Sequence, residues 1–236
     1  MCAVDLAVMI KALLFDVFGT LVDWRTSVAD QMAPFTDQGA AFADAWRGRY
    51  QPSMEAVRSG ARAFVPLDTL HRESLDATLD DFGISASDDE RRGMTLFWHR
   101  LSPWADVTEG LAMLGERFVL APHSNGNVRL MVDLARHNGW RWDAIMGAET
   151  TGHYKPQPES YLRAAALLML QPEECAMVAA HNSDLAAARA CGFRTMFIPR
   201  PLEHGPGQTT DLAPGDGCDH FAETLPDLAR ALRQAR

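Results

Sequence analysis

The chain has 236 residues, of which 47% are hydrophobic and 22% charged, and its formal net charge is −9. These are the proportions of a globular protein with a full core, and an acidic chain without a basic run excludes general nucleic-acid binding as a function class. No apolar run reaches membrane-spanning length, and the four scattered cysteines predict reduced thiols in a cytoplasmic protein without a membrane partner.

The apolar start of the chain, residues 1–15, is short and has no basic beginning, so we interpret its first part as a leader to a strand rather than a signal peptide. Further short apolar runs follow, and the patterns between the later ones are helical. They predict strands at residues 10–18, 117–122, 144–148, 175–180 and 194–198, and helices at residues 127–138, 158–169 and 183–191. Buried strands joined by helices are typical of an α/β protein built on a doubly wound parallel sheet.

The segment between the first two predicted strands has a helical pattern that no convincing strand interrupts, at residues 28–35, 41–57, 68–82 and 87–101. We therefore predict an all-helical cap inserted after the first strand, with residues 22–104 as the cap domain and residues 1–21 and 105–236 as the α/β core domain. Such a cap encloses the carboxyl ends of the strands, where α/β sheets bind ligands. The Gly/Pro-rich residues 203–219 predict a surface loop before a last short strand and helix.

Polar side chains follow four of the predicted strands, at the edge where ligands are expected. They are, in chain order, Asp16 after the first strand, Ser124 and Asn125 after the second, Lys155 after the third, and His181, Ser183 and Asp184 after the fourth. Singly, each has an ordinary structural alternative, such as a helix cap, a turn residue, a solvated lysine or a satisfied core histidine. Because the carboxyl ends of parallel strands meet at one edge of a sheet, we expect the set to form one site.

The motifs around these residues are an aspartate in FDVFGTL, Ser-Asn after the second strand, Lys-Pro-Gln-Pro after the third and an acidic motif after the fourth. In this order they resemble the haloacid dehalogenase (HAD) superfamily. The resemblance covers essentially the whole chain, with a helical cap at the family's first insertion point. It implies a Rossmann-like core and an aspartate nucleophile, Asp16.

Most members of that superfamily that resemble this chain are phosphatases. They carry an acid two residues after the nucleophile and an acidic pair that holds Mg²⁺. Here Phe18 and Ala180 stand at two of those positions, and Asp16 with Asp184 is a thin site for a hard dication. The chain more closely resembles the L-2-haloacid dehalogenase branch. The matching positions are Phe18 two residues and Thr20 four residues after Asp16, Trp46 and Arg47 on the cap, and Tyr161 six residues after Lys155.

The branch implies hydrolytic dehalogenation of short L-2-haloalkanoic acids through an aspartyl ester, with inversion and without a metal or other cofactor. Haloacetates such as fluoroacetate are further candidate substrates. The positive charge of Lys155 would keep Asp16 ionised, and a halide leaves unprotonated, so that no second acid is needed. The implied catalytic residues are Asp16, Lys155, Asp184, Thr20 and His181, and the implied substrate-binding residues are Arg47, Ser124, Asn125, Phe18, Tyr161 and Trp46.

Several of these roles have competing interpretations. Arg47 is implied to stabilise the departing halide, although Arg49 on the same helical pattern is a second candidate, and Trp46 fits cap packing as well as a substrate contact. Ser124 is implied to hold the substrate carboxylate. His181 stands where known members of the branch have Asn, and two hypotheses follow. It is the general base for the water that hydrolyses the ester, or it narrows the pocket toward small substrates.

Two other functions stay open at this point. One is a small-molecule phosphatase that uses Mg²⁺, and the other is a catalytically silent binding protein that retains the HAD fold. Against the silent protein, the nucleophile and the polar residues Thr20, Ser124, Lys155 and Asp184 are all present. The expected ligand is a small halocarboxylate. Dimerisation is common in the family, so a homodimer is also expected, although no stretch of the sequence specifies an interface.

Overall fold

The computed structural model describes residues 10–234, and a six-stranded parallel sheet forms its centre. The predicted leader at residues 1–9 lies outside the described residues. The strands lie in the order β3-β2-β1-β4-β5-β6, and each neighbouring pair is parallel. They are β1 (Ala12–Phe15), β2 (Val119–Ser124), β3 (Met146–Gly147), β4 (Cys175–Ala179), β5 (Arg194–Phe197) and β6 (His220–Phe221). The doubly wound α/β prediction is confirmed, including the last short strand.

The first strand occupies the middle of this sheet, between β2 and β4. Phe15, its last residue, is paired with Pro122 of β2 and with Val178 of β4. All residues of β1 are buried, and successive side chains alternate between two apolar clusters, one on each face of the sheet. Asp16 therefore leaves the sheet at its carboxyl edge, beside the ends of β2 and β4.

Every regular element described in the predicted cap segment, residues 22–104, is helical. They are α1 (Trp24–Met32), α2 (Gly39–Gly48), α3 (Tyr50–Arg58), α4 (Leu67–Asp81), α5 (Asp88–Thr95) and a 3-10 turn (Leu96–His99). The single helix predicted at 41–57 is two helices. Pro52 explains the break, because a proline ring clashes with the carbonyl group four residues earlier, which here belongs to Gly48.

The two chain segments that join these helices to the sheet run side by side. Val22 and Pro103 form an isolated antiparallel bridge, and the backbone N–H of Trp104 donates to the carbonyl of Leu21 at 3.1 Å. The chain segment that contains helices α1 to α5 thus begins and ends at one point beside the carboxyl edge of the sheet. The division into a core domain and a cap domain at residues 22–104 stays a prediction.

The remaining helices cover the two faces of the sheet. They are α6 (Val107–Leu114), α7 (Val128–Asn138), α8 (Ala148–Thr151), α9 (Pro158–Leu167), α10 (Asn182–Ala190) and α11 (Leu225–Gln234). Helices α6, α7 and α11 pack into one apolar cluster, and α9 and α10 pack into the other. The three helices predicted here are confirmed, with ends shifted by one or two residues. Among residues 10–234, no helix combines the length and apolar character that crossing a bilayer requires.

Candidate active site

The carboxylate of Asp16 lies where β1 leaves the sheet, and its side chain is only 10% exposed. Lys155 Nζ donates a hydrogen bond to Asp16 Oδ1 at 2.9 Å, and Thr20 Oγ1 donates to Asp16 Oδ2 at 2.7 Å. The Thr20 hydroxyl in turn accepts a hydrogen bond from the backbone N–H of Ala180 at 2.9 Å, which directs its proton to Asp16. Asp16 is therefore a buried carboxylate with a donor on each oxygen.

The Lys155 side chain bridges two carboxylates. Besides Asp16, its Nζ atom contacts Asp184 Oδ2 at 2.5 Å, and the other oxygen of Asp184 accepts a hydrogen bond from the Tyr161 hydroxyl at 2.5 Å. The backbone N–H of Lys155 donates to Asn125 Oδ1 at 2.7 Å, so the end of β2 holds the loop that carries the lysine. The predicted residues at four strand ends thus meet at one site.

These contacts determine the charges of Asp16 and Lys155. Burial by itself raises the pKa of Asp16, but the charge of Lys155 and the hydrogen bonds from His181 and Thr20 outweigh it and hold that pKa well below its ordinary value. Burial likewise lowers the pKa of Lys155, but Asp16 and Asp184 outweigh it and raise that pKa above its ordinary value. At neutral pH the site therefore holds an ionised carboxylate beside an ammonium group.

His181 also bridges two carboxylates. Its Nδ1 atom lies 3.0 Å from Asp16 Oδ2, and its Nε2 atom lies 2.8 Å from Glu203 Oε2. Burial lowers the pKa of His181, but the hydrogen bonds and charges of Asp16 and Glu203 outweigh it and raise that pKa well above its ordinary value. The imidazole is therefore protonated while Asp16 is ionised, and both of its ring nitrogens then donate.

Glu203 corrects the prediction that residues 203–219 form a surface loop. Most of the later residues of that segment are exposed, but the Glu203 side chain is 2% exposed, and Trp24 Nε1 donates to its Oε1 atom at 3.0 Å. Sequence reasoning missed this residue. An acid inside a Gly/Pro-rich segment carries no local signal of burial, so nothing in the pattern could have singled it out.

The guanidinium group of Arg47 lies among aromatic rings at the end of α2. Its central carbon is 3.9 Å from the centre of the Tyr50 ring, 5.5 Å from that of Trp24 and 5.8 Å from that of Phe18. Its buried Nη1 atom has no hydrogen-bond partner within residues 10–234. Arg49, the competing candidate, instead forms an ion pair with Asp81. A buried guanidinium N–H without a partner is available to an anionic ligand.

A cavity of about 850 Å³ connects these groups. Nine of the predicted site residues line it: Asp16, Phe18, Arg47, Asn125, Lys155, Tyr161, His181, Ser183 and Asp184. The residues that line it without having been predicted include Trp24, Tyr50, Arg58 and Glu203. Aromatic residues on a helix lie more often in the core than in the wall of a pocket. Nothing further in the sequence marks Tyr50 or Trp24 as a binding residue.

Three predicted site residues do not lie in the lining of this cavity. Thr20 is fully buried, and its hydroxyl donates a hydrogen bond to Asp16. Ser124 is 1% exposed, and its Oγ atom accepts the backbone N–H of Gly126 at 3.1 Å. Trp46 is 1% exposed and packs edge-on against Trp98 among the helices of the cap segment. The structure therefore places Trp46 in the packing of that segment and not beside the cavity.

The residues beside Asp16 do not fit a magnesium ion. Both oxygens of Asp184 are engaged by the donors Lys155 and Tyr161, and Phe18 offers no oxygen ligand from its side chain. Within the described part of the chain, no group of three or more His, Cys, Asp or Glu residues is arranged to hold a metal ion. A hard dication prefers several oxygen ligands, which this arrangement does not supply.

Known proteins match this chain in sequence and in fold. The sequence profile of the haloacid dehalogenase-like hydrolase family matches residues 10–192. An (S)-2-haloacid dehalogenase of Xanthobacter autotrophicus is 28% identical over 197 residues, which cover 81% of this chain and 76% of that protein. The solved structure of an L-2-haloacid dehalogenase superposes with a TM-score of 0.93 at 47% identity, covering 95% of this chain and 99% of the other.

A second solved structure, of a defluorinating L-2-haloacid dehalogenase, superposes with a TM-score of 0.92 at 48% identity and covers 95% of each chain. The family profile spans most of the described residues, and both structural relatives match nearly the full chain. The resemblance inferred from the motifs is thereby confirmed. This protein is a hydrolase of the haloacid dehalogenase superfamily and belongs to its L-2-haloacid dehalogenase branch.

Proposed function

We propose that this protein hydrolyses the carbon–halogen bond of short L-2-haloalkanoic acids, and of haloacetates such as fluoroacetate, through an ester of Asp16. The observation that carries the proposal is the ionised Asp16 carboxylate at the cavity, paired with Lys155 and followed at the second position by Phe18 instead of an acid. The names of the relatives, which include a defluorinating L-2-haloacid dehalogenase, point to the same substrate class.

In the first step one oxygen of Asp16 attacks the substrate carbon that bears the halogen. The new carbon–oxygen bond forms as the carbon–halogen bond breaks, and its electron pair leaves with the halide. Because the carbon is attacked once, opposite the halide, its configuration inverts. Lys155 keeps the nucleophile ionised and in place, and the free N–H of Arg47 stabilises the departing anion.

The substrate carboxylate needs hydrogen-bond donors close to Asp16. Asn125 lines the cavity, and since its Oδ1 atom accepts from the backbone of Lys155, its Nδ2 group is the donor that it offers to a ligand. Ser124, the donor implied by the family, is the preceding residue and is buried, and its hydroxyl accepts a hydrogen bond from the backbone N–H of Gly126 in the turn. We therefore assign the carboxylate to Asn125 and the neighbouring backbone N–H groups, with Ser124 supporting them.

In the second step water attacks the carboxyl carbon of the Asp16 ester, and His181 is the base. Ester formation removes the charge of Asp16, so the His181 imidazolium loses one of its two anionic partners and releases its Nδ1 proton to solvent. The neutral Nδ1 atom then accepts a proton from the attacking water. The second proton of the water passes to the departing alkoxide, which yields the hydroxy acid and regenerates ionised Asp16 and protonated His181.

The two competing functions have weaker support. A phosphatase of this superfamily needs a proton donor for the leaving alcohol and a Mg²⁺ ion, whereas Phe18 cannot transfer a proton and Asp184 is fully engaged. A silent binding protein has no need for the buried Asp16, Lys155 and Asp184 charges, which are costly to bury. A homodimer and a cytoplasmic location stay predictions.

The test is halide release from L- and D-2-chloropropionate and from fluoroacetate, with EDTA present, by the natural protein and by Asp16→Asn. An exposed aspartate of α1 gives the matched control Asp30→Asn. We expect release from the L-acid or fluoroacetate that is insensitive to EDTA, lost in Asp16→Asn and retained in Asp30→Asn. Phosphate release that depends on Mg²⁺, with no halide, would establish the phosphatase. Release of neither halide nor phosphate would favour the catalytically silent binding protein.

A further inference from the structure

Hydrogen bonds anchor the turn that carries Glu203 close to the active site. It lies in a turn after β5, and its backbone N–H donates to the carbonyl of Arg200 at 3.1 Å. The Arg200 side chain donates to the backbone carbonyl of Thr20 at 2.9 Å and forms two hydrogen bonds to Asp106. The turn that carries Glu203 is therefore fastened to the same loop that presents Asp16.

The fold leaves a specific space for the Glu203 carboxylate. Gly19 has φ of +87°, and a Cβ atom at that position would lie 2.0 Å from Glu203 Oε1. Glycine suits this position, because the backbone conformation strains other residues and a Cβ atom would displace the Glu203 carboxylate. In this space Glu203 accepts hydrogen bonds from just two side chains of the described residues, Trp24 on Oε1 and His181 on Oε2.

Glu203 is a buried carboxylate that shares its contacting cation, His181, with a second carboxylate, Asp16, which is costly, so its position calls for an explanation beyond packing. We propose that Glu203 is a positioning residue that holds the His181 imidazole with Nδ1 toward Asp16, and that it serves hydrolysis of the ester and not its formation. This rests on the function proposed above, in which His181 activates the water.

The hydrogen-bond pattern gives the reason. When His181 is neutral, it carries one ring proton, and an ionised Glu203 at 2.8 Å retains that proton on Nε2. The lone pair then lies on Nδ1, which is the nitrogen 3.0 Å from the Asp16 carboxyl group. Without Glu203 the other tautomer competes, and its Nδ1–H cannot accept a proton from water. Glu203 itself gains and loses no proton in the cycle.

The charges around His181 change between the two chemical steps. Asp16 and Glu203 contact it directly, Lys155 acts on Asp16, and His204 Nε2 lies 3.7 Å from Glu203. While Asp16 is ionised, its own hydrogen bond to Nδ1 orients the ring. Once Asp16 is an ester, Glu203 is the remaining anion in contact with His181. We therefore expect Glu203 to affect the second step, the hydrolysis of the ester.

The experiment separates the two steps in Glu203→Gln, which removes the charge and keeps the shape. Rapid-quench assays with L-2-chloropropionate and fluoroacetate measure the first equivalent of halide, and mass spectrometry of the quenched protein measures the ester. We expect a halide burst within about threefold of the natural rate and ester hydrolysis slowed at least ~10-fold, with the ester accumulating. The acid limb of the pH profile, where the hydrolysis rate falls as the pH is lowered, should also move to lower pH. The reason is that His181 stays neutral down to a lower pH without the Glu203 charge.

Matched variants keep this result interpretable. Glu223→Gln, at an exposed glutamate of the same chain region, should leave both steps unchanged, and Glu203→Asp should restore part of the hydrolysis rate. Should Glu203→Gln fail to fold, Trp24→Phe removes one hydrogen bond to Glu203 and should slow the same step to a smaller extent. A purely structural role would lower the rate without moving the pH limb.

The outcomes distinguish this inference from the proposed function. An unchanged hydrolysis rate and pH limb in folded Glu203→Gln would overturn the role of Glu203, while the halide burst of the natural protein would still stand. An equal loss of the burst and of hydrolysis would also overturn it, since Glu203 would then act on both steps. No halide from the natural protein with any substrate would instead refute the proposed function itself.

Discussion

Lys155 Nζ lies 2.9 Å from Asp16 Oδ1, although 139 residues separate the two side chains along the chain. Asp184 Oδ2 lies 2.5 Å from the same nitrogen, so that one buried ammonium group is the shared ion-pair partner of two buried carboxylates. This arrangement couples the activity of the site to the stability of the fold. Removing the cation leaves two anions in the interior, which disfavours the folded state and the ionised nucleophile together.

We therefore expect Lys155→Met to lose at least ~100-fold in the rate of the first halide equivalent and about 3–5 kcal/mol in the free energy of unfolding. Rapid-quench assays and urea denaturation measure the two effects. Lys11→Met is the control, because Lys11 is 60% exposed and pairs with Glu174 at the surface, where such pairs contribute little. Equal stability of the two variants would show that the Lys155 ammonium does not stabilise the two buried carboxylates.

The pH dependence of the first step should follow from the lowered pKa of Asp16. A carboxylate with a lowered folded pKa stays ionised as the pH falls, and its contribution to stability is lost only when the pH passes below the ordinary value of about 4. The rate of the halide burst should thus be flat from pH 8 to pH 5 in rapid-quench assays. A decline over that range would mean that Asp16 takes up a proton there.

Arg47 and Arg49 give a direct comparison of two neighbouring arginines. Arg47→Ala removes the buried guanidinium group that has a free N–H beside the cavity, and we expect kcat/KM for L-2-chloropropionate to fall about 100-fold. Arg49→Ala removes a side chain that pairs with Asp81 away from the cavity, and it should change kcat/KM less than threefold. Steady-state assays of both variants decide between them. A larger effect at Arg49 would reverse the assignment of the halide site.

His99 joins the cap segment to the core helix α7. Its Nε2 atom contacts Asp68 of α4 at 3.1 Å, and its Nδ1 atom contacts Asp133 of α7 at 2.9 Å. Burial lowers the pKa of His99, but the hydrogen bonds and charges of the two carboxylates outweigh it and raise that pKa above 6.5. A raised folded pKa contributes stability that is complete below the unfolded pKa and is lost as the pH rises through the folded value.

We therefore expect His99→Gln to lower the free energy of unfolding by about 1–2 kcal/mol at pH 6 and by clearly less at pH 9, as measured by urea denaturation. His137→Gln, at an exposed position of the same helix α7, should show no such difference between the two pH values. A cost of His99→Gln that is equal at both pH values would mean that packing, and not the charged contact, holds the segments together.

Local patterns determined the elements of this fold. Short apolar runs predicted the strands from β1 to β5, and the helical patterns between them predicted α7, α9 and α10, because a buried parallel strand and a half-buried helix impose different spacings on apolar residues. The rule that parallel strands end at one edge then brought Asp16, Lys155 and Asp184 together correctly, across most of the length of the chain.

Only the tertiary structure decided which residues of the connecting segments reach the site. Arg47 and Arg49 are two positions apart on one predicted helix, but the chain bends between α2 and α3, and only Arg47 enters the cavity. Glu203 gave no signal in its Gly/Pro-rich segment, because the contacts of Arg200 with distant parts of the chain bring that turn to His181. Sequence periodicity reports local burial, whereas the path of a loop depends on partners that local spacing does not encode.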